Sequence, residues 1–257
     1  MTVELAISEI GEGDPLVILH GLFGSKRNWW SIARQLAATR RVVVADLRNH
    51  GASPWDPVHD YPALAADVAR LIETRLGGRA AVIGHSMGGK AAMMLALERP
   101  ALIERLVVVD IAPTRSPGNS ADILRALERV PLDRCAHRGD VEAALAGDVP
   151  EGKVRSFLAA NVVSGPDGLA WGVNLDAFAR HLDDILGFPD VPPGRTFAGP
   201  TLFLAGGRSP YVRPEQHAAI LRLFPAARIE TIPAAGHWLH ADAPEEFLAA
   251  VRPFLEG

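Results

Sequence analysis

Short, almost unbroken apolar runs alternate with amphipathic stretches through the first 111 residues. PLVILH from Pro15 is followed by SIARQLAATR, RRVVVADL from Arg40, LAADVARLIETRL from Leu64, RAAVIGHS from Arg79, KAAMMLALERP from Lys90 and RLVVVDI from Arg105. Apolar runs without a polar alternation suit strands covered on both faces, and their alternation with helical periods predicts βαβ units around a mostly parallel sheet. The opening MTVELAISEI reads as a first strand rather than a secretory leader, because it carries acidic residues and no basic segment before an apolar one.

The rhythm changes at Ala112. Strand-like runs stop, and ADILRALERV, VEAALAGD, KVRSFLAANVV and LDAFARHLDDIL follow with helical spacing. This pattern predicts a helical cap over residues 112–198, inserted in a core made of residues 1–111 and 199–257. The Pro- and Gly-containing stretch 188–200 returns the chain to the core, where TLFLA (Thr201 to Ala205) and ARIETI from Ala227 read as further strands. A closing helix is expected from Pro244 to Leu255.

Composition narrows the partners. With 26 Lys and Arg against 30 Asp and Glu, the net charge is −4 and the signs are interspersed, so no basic stripe offers itself to a nucleic acid. No apolar run approaches the roughly 20 residues of a membrane span. The single cysteine, Cys135, cannot close an internal disulfide, and a cytoplasmic location is the expectation. Small molecules are therefore the expected partners.

Three segments carry candidate chemistry. Gly84-His85-Ser86-Met87-Gly88 fits G-x-S-x-G between a strand and a helix, a sharp turn that exposes a serine hydroxyl at a helix N-terminus. The alternative for Ser86 is a plain helix cap in a tight turn. His20-Gly21-Leu22-Phe23-Gly24 follows the strand PLVIL, where this arrangement puts its second oxyanion donor; the backbone N–H groups of Leu22 and Met87 are the two candidates. Gly236-His237-Trp238 follows the last strand, and His237 is the candidate general base, imidazole being the side chain that ordinarily titrates near neutral pH. His240 is expected at a helix end or a rim, with the base role as its alternative, and His85 in the pocket wall.

The acid is displaced. The loop after TLFLA reads Gly206-Gly207-Arg208-Ser209-Pro210-Tyr211, with Ser209 where an aspartate is common and no carboxylate nearby. An anion is still needed to orient the histidine. Asp110, at the end of the strand after the one that carries Ser86, is the candidate; a capping role where the insertion begins is the other reading.

With these residues in view, the chain resembles the α/β-hydrolase superfamily and, in detail, the bacterial YbfF-type esterases. The resemblance rests on HGLFGS from His20, DLRNHGAS from Asp46, GHSMGGK from Gly84, VVVDIAP from Val107, GGRSPYV from Gly206 and GHWLHAD from Gly236. It implies an acid on the strand after the nucleophile, which favours Asp110. It also implies hydrolysis of carboxylic esters or acyl thioesters with no metal and no organic cofactor; no histidine cluster at metal-ligand spacing and no nucleotide fingerprint is visible in the sequence either.

Phe23, Trp171 and Trp238 are candidates for an apolar acyl wall, with core packing the alternative for each. Lys26, Arg27, Arg48, Arg115 and Arg208 fall in loops expected at the same sheet edge, which raises an anionic leaving group such as coenzyme A against ordinary solvated cations. Two other functions fit the same residues: a carbon–carbon bond hydrolase or lyase, and a ligand receptor that keeps the triad.

Overall fold

The computed structural model describes residues 1–166 and 168–257. Among the described residues there are nine strands: β1 (Ile7–Ile10), β2 (Pro15–Leu19), β3 (Arg41–Ala45), β4 (Ala80–His85), β5 (Ile103–Val109), β6 (Val162–Gly165), β7 (Gly168–Trp171), β8 (Thr201–Gly206) and β9 (Ala227–Ile232). Seven of them form one sheet in the order β1-β3-β2-β4-β5-β8-β9. β1 runs antiparallel to β3; every other pairing in that sheet is parallel. This is the mostly parallel sheet that the apolar runs predict.

Side chains alternate between the two faces of the sheet, and each face has its own helices. Val17, Val43, Val82, Leu106, Val108 and Phe203 pack toward α2 (Tyr61–Arg75) and α3 (Met87–Glu98). Leu16, Ile18, Val42, Ile83, Val107 and Leu202 pack on the opposite side with α1 (Trp30–Leu36).

Between β5 and β8 come α4 (Ser120–Arg129), α5 (Arg138–Ala144), α6 (Gly152–Ala159), α7 (Leu175–Arg180) and α8 (Leu182–Leu186). The last two divide one predicted helical run at His181, whose φ of −109° leaves the helical range. The insertion also departs from the expected all-helical content, because β6 and β7 form an antiparallel hairpin after α6. The β-branched pair Val162-Val163, followed by Gly165 and Pro166, stops the helix that KVRSFLAANVV suggests. Leu124, Leu127, Leu145 and Phe178 of the insertion share one apolar cluster with the sheet.

The chain ends with α9 (Pro214–Leu223), α10 (Leu239–Asp242) and α11 (Pro244–Glu256). α11 places Phe247, Val251 and Phe254 on the second face of the sheet. Among the described residues, no helix is long and apolar enough to cross a membrane.

Candidate active site

β4 ends at His85, and the chain turns into α3 within one residue. Ser86 has φ 52° and ψ −119°, a backbone region that costs a non-glycine residue about 1–3 kcal/mol and is kept only where the surroundings enforce it. They do so here by crowding: a Cβ on Gly88 would lie 2.5 Å from the His20 carbonyl oxygen, so only glycine fits beside β2.

Strand register explains why Asp110 lies next to this turn. β4 and β5 pair with His85 opposite Val109, the Ser86 N–H donates to the Val109 carbonyl at 3.0 Å, and the next residue is Asp110. Asp110 also has a positive φ, 51°. Its side chain is fully buried, which would be costly for a carboxylate without partners. One oxygen accepts from the Gly206 N–H at 2.8 Å. The other accepts from the Ser209 hydroxyl and bonds His237 Nδ1 at 2.7 Å. Ser209, which stands where an aspartate is common, thus bonds the candidate acid on the neighbouring strand.

His237 completes the chain of contacts, with Nε2 3.1 Å from Ser86 Oγ. Its loop reaches across from β9, and Gly206 allows this because a Cβ there would collide with the Gly236 carbonyl. Two rings flank the imidazole: Tyr211 stacks on it at 4.0 Å and 19°, and His85 lies 4.7 Å away. His85 donates from Nε2 to the His237 carbonyl at 2.8 Å. Burial, with His237 and His240 nearby, holds the His85 imidazole well below its ordinary range, so it stays neutral.

The two oxyanion candidates flank the turn at Ser86. Met87 is the first residue of α3, so its N–H has no intrahelical acceptor. The loop that carries Leu22 runs against the nucleophile, a Cβ on Gly21 falling 3.1 Å from the Ser86 Cβ. His20 braces that loop, donating from Nδ1 to the Gly21 carbonyl at 2.8 Å while Nε2 accepts from the Leu47 N–H at 3.0 Å.

A cavity of about 390 Å³ opens above Ser86, within the usual size range of small-molecule sites. Phe23 and Trp238 line it, as the sequence suggests. So do Ile123 and Phe157 from the insertion, Tyr211 and His240. Phe157 packs on Trp238 at 5.2 Å, and Lys153 reaches Asp242 at 3.5 Å, both from α6 to the segment after His237. Phe157 and Ile123 escaped the sequence reading because helical periodicity in the insertion marks an apolar face without saying what it covers. His240 lies in the short helix that begins at Leu239 and is buried rather than at a rim; it stacks on Trp29 at 3.9 Å, and burial pushes it down to about 3.

One candidate wall residue, Trp171, and one candidate substrate cation, Arg208, lie elsewhere. Trp171, on β7, lines a separate surface recess with Trp55, Leu132 and Leu169, because the hairpin carries it away from the sheet edge. Arg208 is exposed and does not line the cavity; its loop spends its main chain on the Ala235 carbonyl. The group of cations disperses as well. Lys26 pairs with Asp46, Arg48 with Asp67 and Arg115 with Asp183, and Arg27 is exposed outside the cavity.

Residues 14–244 match the protein family described as alpha/beta hydrolase fold. An sn-1-specific diacylglycerol lipase ABHD11 from Xenopus laevis is 44% identical over 252 residues, covering 95% of this chain and 80% of that protein. Esterase YbfF of Escherichia coli (strain K12) is 37% identical over 242 residues, covering 94% of this chain and 92% of that protein. A solved structure described as a marine microorganism esterase has a TM-score of 0.94 at 34% identity, covering 98% of this chain and 100% of that one. The family match spans most of the chain, and the relatives cover nearly all of it: the protein belongs to the alpha/beta hydrolase fold family.

Proposed function

We propose that the protein is a serine hydrolase of carboxylic esters that works through an acyl-enzyme on Ser86. The observation that carries this reading is the contact series Ser86 Oγ to His237 Nε2 at 3.1 Å and His237 Nδ1 to Asp110 Oδ2 at 2.7 Å, below a cavity open to a ligand. Ser86 Oγ bonds to the acyl carbon while its proton passes to His237 Nε2. The N–H groups of Leu22 and Met87 hold the oxyanion, and Asp110 keeps the Nδ1 proton in place and stabilises the imidazolium. Collapse breaks the ester C–O bond, and His237 returns the proton to the departing alkoxide. Water, deprotonated by His237, then attacks the acyl-Ser86 carbonyl; collapse breaks the acyl C–Oγ bond, His237 returns the proton to Ser86 Oγ, and the carboxylic acid leaves.

Residues 112–198 act as a cap that shapes the acyl pocket, with Phe23, Ile123, Phe157 and Trp238 supplying apolar wall. The names of the relatives, a diacylglycerol lipase and an esterase, favour an ester with an apolar acyl chain. An acyl thioester presents the same carbonyl to the same groups. An anionic carrier gains little support, since Lys26, Arg48 and Arg115 are already held by carboxylates.

Hydrolysis of p-nitrophenyl esters of increasing acyl length, with Ser86→Ala protein as the blank, tests the proposal. Multiple turnovers that vanish in the variant are expected. A single event per protein would indicate a receptor, and no reaction on any ester by folded protein would favour carbon–carbon bond cleavage.

A further inference from the structure

One buried side chain outside the cavity ties the nucleophile's helix to both ends of the insertion. Lys90 follows Ser86 by one turn of α3, and its main-chain N–H donates to the Ser86 carbonyl at 3.0 Å. The residue has no exposed surface. Its ammonium donates to Ser116 Oγ at 2.7 Å, to the Leu186 carbonyl at 2.8 Å and to the Gly187 carbonyl at 2.5 Å. All three partners are uncharged oxygens, and they come from the two places where the insertion leaves and rejoins the core.

The rest of that junction follows the same pattern. The Ser116 N–H donates to the Leu186 carbonyl at 2.7 Å, which closes the two ends on each other. The hydroxyl of Tyr61, on α2, donates to the Ile185 carbonyl at 2.6 Å. The last carbonyls of α8 have no acceptor role within their own helix, and here side chains of the core take them up. Burial, with Arg115 nearby, pushes Lys90 down to about 7, and its protonated form keeps its place only when its hydrogen-bonding capacity is filled. Three oxygens fill the three N–H donors of Lys90, so the residue is held only while both ends of the insertion are seated.

We infer that Lys90 is a positioning residue: it fixes the cap over the acyl pocket by clamping the exit segment at Ser116 and the return segment at Leu186-Gly187 to the helix that bears Ser86. It touches no reacting atom. Its effect on the reaction passes through the placement of cap residues such as Ile123 and Phe157, and in that respect the inference rests on the proposed role of the cap. The clamp itself is a statement about the junction and is testable without any substrate.

The test combines hydrogen exchange and kinetics on the full chain. Lys90→Met keeps the length of the stem and removes all three bonds; Ser116→Ala removes one acceptor and leaves the fold less disturbed. Exchange, followed by mass spectrometry, should quicken at least tenfold in peptides covering 112–119 and 182–190 of Lys90→Met, with peptides of β4 and β5 unchanged. Ser116→Ala should show the same change in 112–119, to a smaller degree, and it decides the matter if Lys90→Met does not fold. With p-nitrophenyl octanoate the KM of Lys90→Met should rise at least fivefold, while kcat for the acetate stays within twofold. Unchanged exchange at both ends, exchange that rises equally in the core strands, or acetate and octanoate affected alike would each overturn the clamp. If neither ester is turned over by the unaltered protein, the esterase reading fails and the exchange result alone judges Lys90.

Discussion

Among the described residues, four non-glycine residues have positive φ, and three of them, Phe23, Ser86 and Asp110, stand at the cavity or directly beneath it. Strain of this kind persists where packing enforces it, and here it aims a hydroxyl and a carboxylate from adjacent strands at one histidine. Asp110→Asn should lower kcat about 10⁴-fold, because the amide can no longer hold the Nδ1 proton of His237 in place; near-normal kcat in steady-state assays would remove Asp110 from the account. Ser209→Ala deletes one of the bonds to that carboxylate, and a hydrogen bond to a charged group is worth about 1.5–3 kcal/mol. Its kcat should fall by about ten- to a hundredfold, clearly less than in Asp110→Asn, and an equal or larger loss would assign Ser209 a different part. That Ser86, His237 and Asp110 come together was legible because each lies in a short motif at a strand end, where chain order and register restrict position. Trp171 and Arg208 were not, since a lone aromatic or cation carries no such restriction.

At the scale of elements, β2 to β5 and β8 were legible from their uninterrupted apolar runs and the helices of residues 112–198 from their spacing, but the hairpin of β6 and β7 was not. Val162 and Val163 extend a helical apolar pattern by two residues, and only pairing with Ala170 and Trp171 makes them strand. α6 matters most for the site, because it sets Phe157 against Trp238 and Lys153 against Asp242 across the mouth of the cavity. Phe157→Ala and Trp238→Ala should each raise KM for a long-chain ester by about five- to tenfold, the effect of roughly 1 kcal/mol of lost apolar burial. Trp171→Ala, on the hairpin and outside the cavity, should leave the same KM unchanged. A chain-length series measured on the three variants separates them; equal effects in all three would mean that the acyl chain binds elsewhere.

At the scale of the molecule, five histidines among the described residues are buried and held below their ordinary range by that burial: His20, His50, His59, His85 and His240. Their rings form part of the support beneath the loop after β2 and the turn at Ser86, with His20 4.8 Å from His50 and His85 5.3 Å from His240. Because the folded protein binds these protons less readily than the unfolded chain, their contribution to stability is present above the unfolded value of 6.5 and is lost as pH falls toward about 3, the folded value of His59 and His240. Linkage over about pH 7 to 5.5 amounts to about 1 kcal/mol for each of those two groups, enough to lower Tm by roughly 5 °C. Thermal unfolding across that range checks the sign, and a Tm that rises on acidification would contradict it.

The most direct test of the central claim is stoichiometric labelling with a p-nitrophenyl alkylphosphonate, which mimics the tetrahedral acyl intermediate and stays on the nucleophile. One equivalent of p-nitrophenolate should be released per chain, the added mass should lie on Ser86, and ester hydrolysis should fall in proportion to labelling. Label on another residue, or undiminished hydrolysis by fully labelled protein, would show that Ser86 is not the nucleophile.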